Sequence, residues 1–344
     1  MNARPRLIAN ALVSLAIGSA TALAAPNQNA LYPAGPQAAH IYDLWTLMLV
    51  VCTLVFVAVI AAGVIAVRRA PKADHTTSPD VAALSRPERG VIRAVTAAVG
   101  ISIALLIVLI ASSVMTDRAL ARLPLADAVN IELTAHQWWW EAKYVDVQPS
   151  RVFSTANELH IPVGRPVVMT LLADDVIHSF WVPNLHGKKD LIPGHKSLVS
   201  FRADQAGTYR GQCAEFCGYQ HANMALEIVA EPPEQYERWL QQQRQSATPP
   251  AEPELRRGYD VFVRTTCAMC HAVVGSEANG QRAPDLTHVA SRRTIASGML
   301  ENNAGNLAAW VLNAPQLKPG VNMPPNPLAP DDLRALLAYL ASLK

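Results

Sequence analysis

The chain is expected to fold as a multidomain protein of three unlike parts: a two-helix transmembrane hairpin, an all-β domain and a small all-α domain. Three observations predict this. Apolar residues make up 51% of the 344 residues, yet the long apolar blocks are confined to the first third. Short alternating runs, punctuated by Gly and Pro, fill the middle. Amphipathic helical runs flank a cysteine motif near the end. A net charge of +2 without a basic run gives no reason to expect a nucleic-acid partner.

Residues 1–25 read as a signal peptide. Arg4 and Arg6 are followed by an apolar run from Leu7 to Ile17 and by the small-x-small site Ala22-Leu23-Ala24. The alternative is a third membrane helix, but Asn10, Ser14 and Gly18 break the run. Residues 26–120 are expected to form the hairpin, with helices over about 41–67 and 91–115, each long enough to span a bilayer. Tyr42 and Trp45 stand where interfacial aromatics belong. Arg68, Arg69, Arg86, Arg89 and Arg93 make the connector basic at both ends, which assigns it to the cytoplasm and the remainder to the periplasmic side of a bacterial-type inner membrane. Cys52, inside the first span, reads as a small buried apolar side chain.

Residues 121–240 read as β structure. Ile131, Leu133 and Ala135 alternate with polar neighbours, and two runs within Glu158–Leu172 are split by the turn residues 162–166. Further short strands are expected at Leu198–Phe201, Tyr209–Gln212 and Ala225–Val229, a sandwich or barrel pattern. The segment Cys213–Met224, CAEFCGYQHANM, places Cys213, Cys217, His221 and Met224 close together. Thiolate, imidazole and thioether are soft or borderline ligands, suited to copper. A second imidazole must come from elsewhere, and His178 in DDVIHSFWVP is the best candidate. Two thiolates and two imidazoles can hold two copper ions if both sulfurs bridge. The same residues leave a Cys213–Cys217 disulfide or a zinc site open, although zinc gains little from Met224.

These motifs, with His136-Gln137-Trp138-Trp139-Trp140 and KKDLIPGH at Lys188–His195, resemble cytochrome c oxidase subunit II. The resemblance implies a cupredoxin fold, and a dinuclear copper centre on His178, Cys213, Cys217, His221, Met224 and the backbone carbonyl of Glu215. It also implies a magnesium ion reached by the Glu215 side chain and supported by Asp190, electron entry at Trp138, and electron exit at His221. On a strand Trp138 and Trp140 share one face and Trp139 takes the other, so at least one of the three is expected in the core. The family pattern of an acid followed by Trp-Thr at the second span is missing here. Glu88 stands there alone, at a proton entrance or simply in a solvated loop.

Residues 241–253 are polar and proline-rich and read as a linker. Residues 254–344 are expected to be all-α. Cys267-Ala268-Met269-Cys270-His271 is the c-type haem attachment signature: Cys267 and Cys270 bind the vinyl groups and His271 becomes an axial ligand. Helices are expected at Glu254–Arg264 and after Pro330. For the sixth ligand His288, Met299 and Met323 compete. Met323 lies in an extended proline-bound loop, Met299 in an expected helix end, and methionine raises the potential as an electron carrier requires. This segment resembles a class I cytochrome c, which implies Met323 as ligand and Pro284 as the residue orienting His271.

Together the resemblances imply an electron-transfer subunit of a terminal oxidase. Electrons would pass from a soluble or membrane cytochrome donor through haem c and two coppers to subunit I, among further subunits, where oxygen is reduced and protons move. A copper-dependent nitric oxide reductase subunit and a copper-delivery protein are the alternatives. The second needs neither a haem nor His221 and Met224 on the cysteine loop.

Overall fold

The computed structural model describes residues 28–70, 76–78, 81–82 and 87–344. The expected signal peptide lies outside the described residues, as does Arg86. Two apolar helices come first: α1 over Pro36–Arg69 and α2 over Arg89–Leu120. Each is about 50 Å long by helical rise, more than a hydrocarbon core requires. Both overrun the expected apolar spans, because the backbone needs no apolar side chain to stay helical. Pro36 suits the first turn of α1, where its fixed φ is already helical and no amide is needed. Leu54, Phe56, Val59, Ile107 and Ile110 are exposed on these helices, and both are long and apolar enough to cross a membrane.

The described residues divide into two compact units, one spanning Ala39–Pro124 and the other formed by the residues up to Ala38 with Leu125–Lys344. In the latter, a five-stranded sheet has the order β3-β2-β1-β5-β8, made of β1 (Val129–His136), β2 (Trp139–Val145), β3 (Phe153–Ala156), β5 (Pro166–Ala173) and β8 (Ser197–Arg202). A three-stranded sheet has the order β4-β10-β9, from β4 (Glu158–Pro162), β9 (Gly207–Gln212) and β10 (Ala225–Glu231). A ribbon of β6 (His178–Phe180) and β7 (Lys189–Leu191) completes the domain. Period-two alternation puts Ile131, Leu133, Met169 and Leu171 of one sheet into a core shared with Leu159, Ile161 and Ile228 of the other. The β1–β5 and β4–β10 pairs are parallel, so distant segments must meet to close this sandwich.

Around the β-domain two features depart from the sequence reading. The segment before α1 packs onto the β-domain: the Ala34 amide donates to the Asn184 carbonyl at 2.8 Å, and the Asp204 amide donates to Ala34 at 2.7 Å. The expected linker begins inside a helix, because α3 (Pro233–Gln243) runs through Gln241–Gln243 and buries Tyr236 and Leu240. Helical spacing of those two residues carries the helix into the polar stretch.

The C-terminal part consists of α4 (Pro253–Arg264), the single turn α5 (Cys267–Cys270), a small hairpin of β11 (Thr294–Ile295) and β12 (Leu300–Glu301), α6 (Ala304–Leu317) and α7 (Pro330–Ser342). α4 crosses α7 so closely that a Cβ on Gly258 would lie 2.0 Å from the Ala335 carbonyl oxygen. Any side chain there would force the helices apart. α6 breaks at Asn313, before Pro315. Met299 falls on the turn between β11 and β12, not at a helix end, because Ala296, Ser297 and Gly298 take positive φ and reverse the chain.

Candidate redox sites

β9 ends at Gln212 and β10 starts at Ala225, and these two residues are paired across the ladder. The cysteine loop is therefore clamped at its neck. The Cys213 amide donates to the Met224 carbonyl at 2.9 Å, and the Ala214 amide donates to Ser179 at 3.0 Å, which draws the loop toward the fully buried His178 at the head of β6. Cys213 Sγ lies 3.7 Å from Cys217 Sγ and 3.8 Å from His178 Nδ1. Cys217 Sγ lies 3.5 Å from His221 Nδ1 and 3.8 Å from Met224 Sδ. The Glu215 carbonyl faces Cys213 Sγ at 3.3 Å. The sulfurs stand far beyond the bond length of a disulfide, and both cysteines are free.

The electrostatics suit a cation. A hydrogen bond from Cys217, helped by one from His178, holds the Cys213 thiol well below its ordinary range, while the neighbouring Cys213 sulfur pushes Cys217 up. Burial works to lower His178, but its bonds to Cys213 and Asp175 outweigh it and raise the imidazole.

Asp175 escaped the sequence reading. Its carboxylate accepts from His178 Nε2 at 2.8 Å and from the amides of Gln137 and Val176 at 2.6 and 2.7 Å. Burial alone would raise its pKa; the hydrogen bonds from His178 and the two amides outweigh this and lower it. It fixes the ring so that Nδ1 faces the sulfurs. The signal was present as an acid three residues before the histidine. Asp175→Asn should weaken copper binding about 10- to 100-fold without unfolding the chain, measured by chelator competition.

The Glu215 side chain turns outward, with its carboxylate 3.5 Å from Lys188 Nζ, and Asp190 pairs with Ser179 across the β6–β7 ribbon. Trp138 sits at the β1–β2 turn, 7% exposed, and Trp140 is fully buried in the core. Trp139 stacks on His136 at 4.3 Å. The Trp138 indole Nε1 donates to the Cys217 carbonyl at 2.8 Å, and Gln137 Nε2 donates to the same oxygen at 2.7 Å.

A cleft of about 1040 Å³, counting its open mouth, is lined by His271, Pro284, Arg292, Trp310 and Met323, and by Trp138 of the β-domain. His271 Nδ1 lies 2.7 Å from the Pro284 carbonyl, and burial keeps this imidazole below its usual range, neutral and able to ligate a metal. His288 has both ring nitrogens engaged, with the carbonyls of Lys344 and Gln245 at 2.8 and 3.1 Å. Met299 does not line the cleft. Arg292 Nε and Thr294 Oγ1 are buried in the cleft wall without a partner among the described residues. Donors orphaned in this way fit the propionates of a haem, and the apolar walls fit its macrocycle. Neither residue was marked in the sequence, since a lone Arg or Thr carries no local motif.

The folds and these two donor sets define a membrane-anchored electron carrier with copper and c-type haem chemistry. Residues 129–231 match the family model of the cytochrome c oxidase subunit II periplasmic domain, and residues 255–344 match that of cytochrome c. The chain is 35% identical to cytochrome c oxidase subunit 2 of Alkalihalophilus pseudofirmus over 92% of its own length and 91% of the relative's. It is 32% identical to that of Bacillus sp. (strain PS3), over 71% and 72%. The solved periplasmic domain of subunit II from Bradyrhizobium japonicum, 28% identical, covers 35% of this chain and 97% of its own, with a TM-score of 0.33. The chain belongs to the cytochrome c oxidase subunit II family and is an electron-transfer subunit of a haem–copper oxidase. It carries a cytochrome c domain behind its copper domain.

Proposed function

We propose that this chain passes electrons from an external cytochrome donor to subunit I by way of a c-type haem and a dinuclear copper centre. When bound, each group takes up and releases single electrons, while oxygen reduction and proton translocation belong to subunit I. Cys267 and Cys270 would attach the haem, His271 and Met323 would ligate its iron, and the Pro284 carbonyl aims His271. His178, Cys213, Cys217, His221, Met224 and the Glu215 carbonyl would hold two copper ions and let them share single electrons. The side of the membrane follows from the basic ends of the connector, which put both redox domains in the periplasm.

The observation that carries this reading is Trp138. Its ring lines the haem cleft while its indole N–H rests on the Cys217 carbonyl, so one side chain touches both sites. Trp138 serves as the electron entry to copper. His221, beside the exposed Phe216 and Tyr219, serves as the exit toward subunit I and its companion subunits. A magnesium ion shared with subunit I would take the Glu215 carboxylate, with Asp190 behind it, and would displace Lys188.

The test is flash photolysis of the purified chain loaded with copper and haem. The rate of electron transfer from haem to copper should be independent of protein concentration, since both partners lie in one compact unit. A rate proportional to concentration would defeat the reading.

A further inference from the structure

Lys318 is 1% exposed, an uncommon place for an ammonium. It stands at the end of α6, in the cytochrome c domain. Its Nζ donates to three main-chain carbonyls: Trp138 at 2.9 Å, Asn223 at 2.8 Å and Ala296 at 3.0 Å. An ammonium has three N–H donors and no acceptor, so this set uses it completely. Two of the three acceptors belong to the copper domain. One carries the peptide of the tryptophan between the sites, and the other lies next to Met224.

The residues that follow continue the contact. The Pro319 carbonyl accepts from Gln220 Nε2 of the cysteine loop at 2.8 Å. Gly320, at φ +91°, lies so flat on the Trp138 ring that a Cβ would come within 3.2 Å of it. Val321 packs against the β-domain core, and Met323 lines the haem cleft. One short segment thus joins the loop bearing Met323 to the loop bearing Met224, with a buried cation at its root.

We propose that Lys318 is a positioning residue for haem-to-copper electron transfer: its ammonium latches the cytochrome c domain onto the Trp138 peptide and the cysteine loop, which holds the two centres at one separation. This rests on the reading of the two centres given above. Among the described residues no carboxylate is paired with Lys318, so its satisfaction depends on those carbonyls staying in place.

The experiment uses the full chain with copper and haem. The unmodified chain should show a haem c optical spectrum and one electron shared by two coppers in electron paramagnetic resonance. Absence of both would remove the reading beneath this proposal. In Lys318→Met both spectra should persist, while transfer from photoreduced haem to copper slows by about tenfold or more. Proteolytic cleavage between residues 245 and 252 should become faster as the domains part. Lys318→Gln, which keeps N–H donors, should recover part of the rate. An unchanged rate with unchanged cleavage in a fully loaded Lys318→Met chain overturns the latch. If that variant does not accumulate, amine acetylation of the unmodified chain decides. Lys318 should stay unlabelled while the exposed Lys188 and Lys196 react, and labelling at their pace overturns it.

Discussion

Replacing Cys217 with serine should abolish the shared-electron copper signal and reduce electron delivery to the oxidase by more than about 100-fold. That figure is a lower bound: loss of a group behind a metal ligand already costs about 10- to 100-fold, and Cys217 is a ligand in its own right. Its sulfur stands within 3.5 to 3.8 Å of Cys213 Sγ, His221 Nδ1 and Met224 Sδ, three other members of the proposed donor set. Serine keeps the shape of the side chain but offers a hard oxygen that stays protonated, so it can neither bridge nor share electron density with copper. The fold should survive, since the Cys217 carbonyl, not its sulfur, accepts from Gln137 and Trp138. Electron paramagnetic resonance and metal analysis of the purified variant read the result. Copper signals identical to those of the unmodified chain would refute a bridging role.

Replacing Met323 with histidine should lower the haem midpoint potential by on the order of 100 mV or more, because thioether ligation favours the reduced iron and bis-imidazole ligation does not. Redox titration followed optically measures this. Met299→Ala serves as the contrast and should leave the potential in place, since Met299 lies on the β11–β12 turn and does not line the cleft. A large shift in Met299→Ala, with none in Met323→His, would reassign the ligand.

Much of the architecture was legible because it rests on local patterns. Alternation marked β1, short runs split by Gly and Pro marked β5 and β8, apolar length marked α1 and α2, and the Cys267–His271 motif marked its own chemistry. The ligand loop was legible for a similar reason: four donors fall within one segment. His178 was found only by asking which distant imidazole could complete the set. What escaped was whatever depends on packing between remote segments. Asp175 is an ordinary acid until the fold sets His178 against it. Arg292 Nε and Thr294 Oγ1 matter only because the cleft closes around those two atoms without offering them partners. Lys318 stands in a proline-rich stretch and carries no local motif. It becomes buried because the cytochrome c domain sits on the copper domain, which no periodicity encodes. The parallel β1–β5 and β4–β10 pairings belong to the same class: each strand was visible, but its neighbour was not.

The seam between the two redox domains bears on how separable they are. Glu158, nearly buried on β4, accepts the Arg293 amide at 2.8 Å, and Ser297 spans Asn157 and Ala225 at 3.1 and 2.9 Å. A gene cut after Gln243 would return these groups to water and strip the copper half of part of its own floor. The two halves are no longer interchangeable parts. A donor swapped in from outside would inherit a landing site shaped for a tenant that cannot leave.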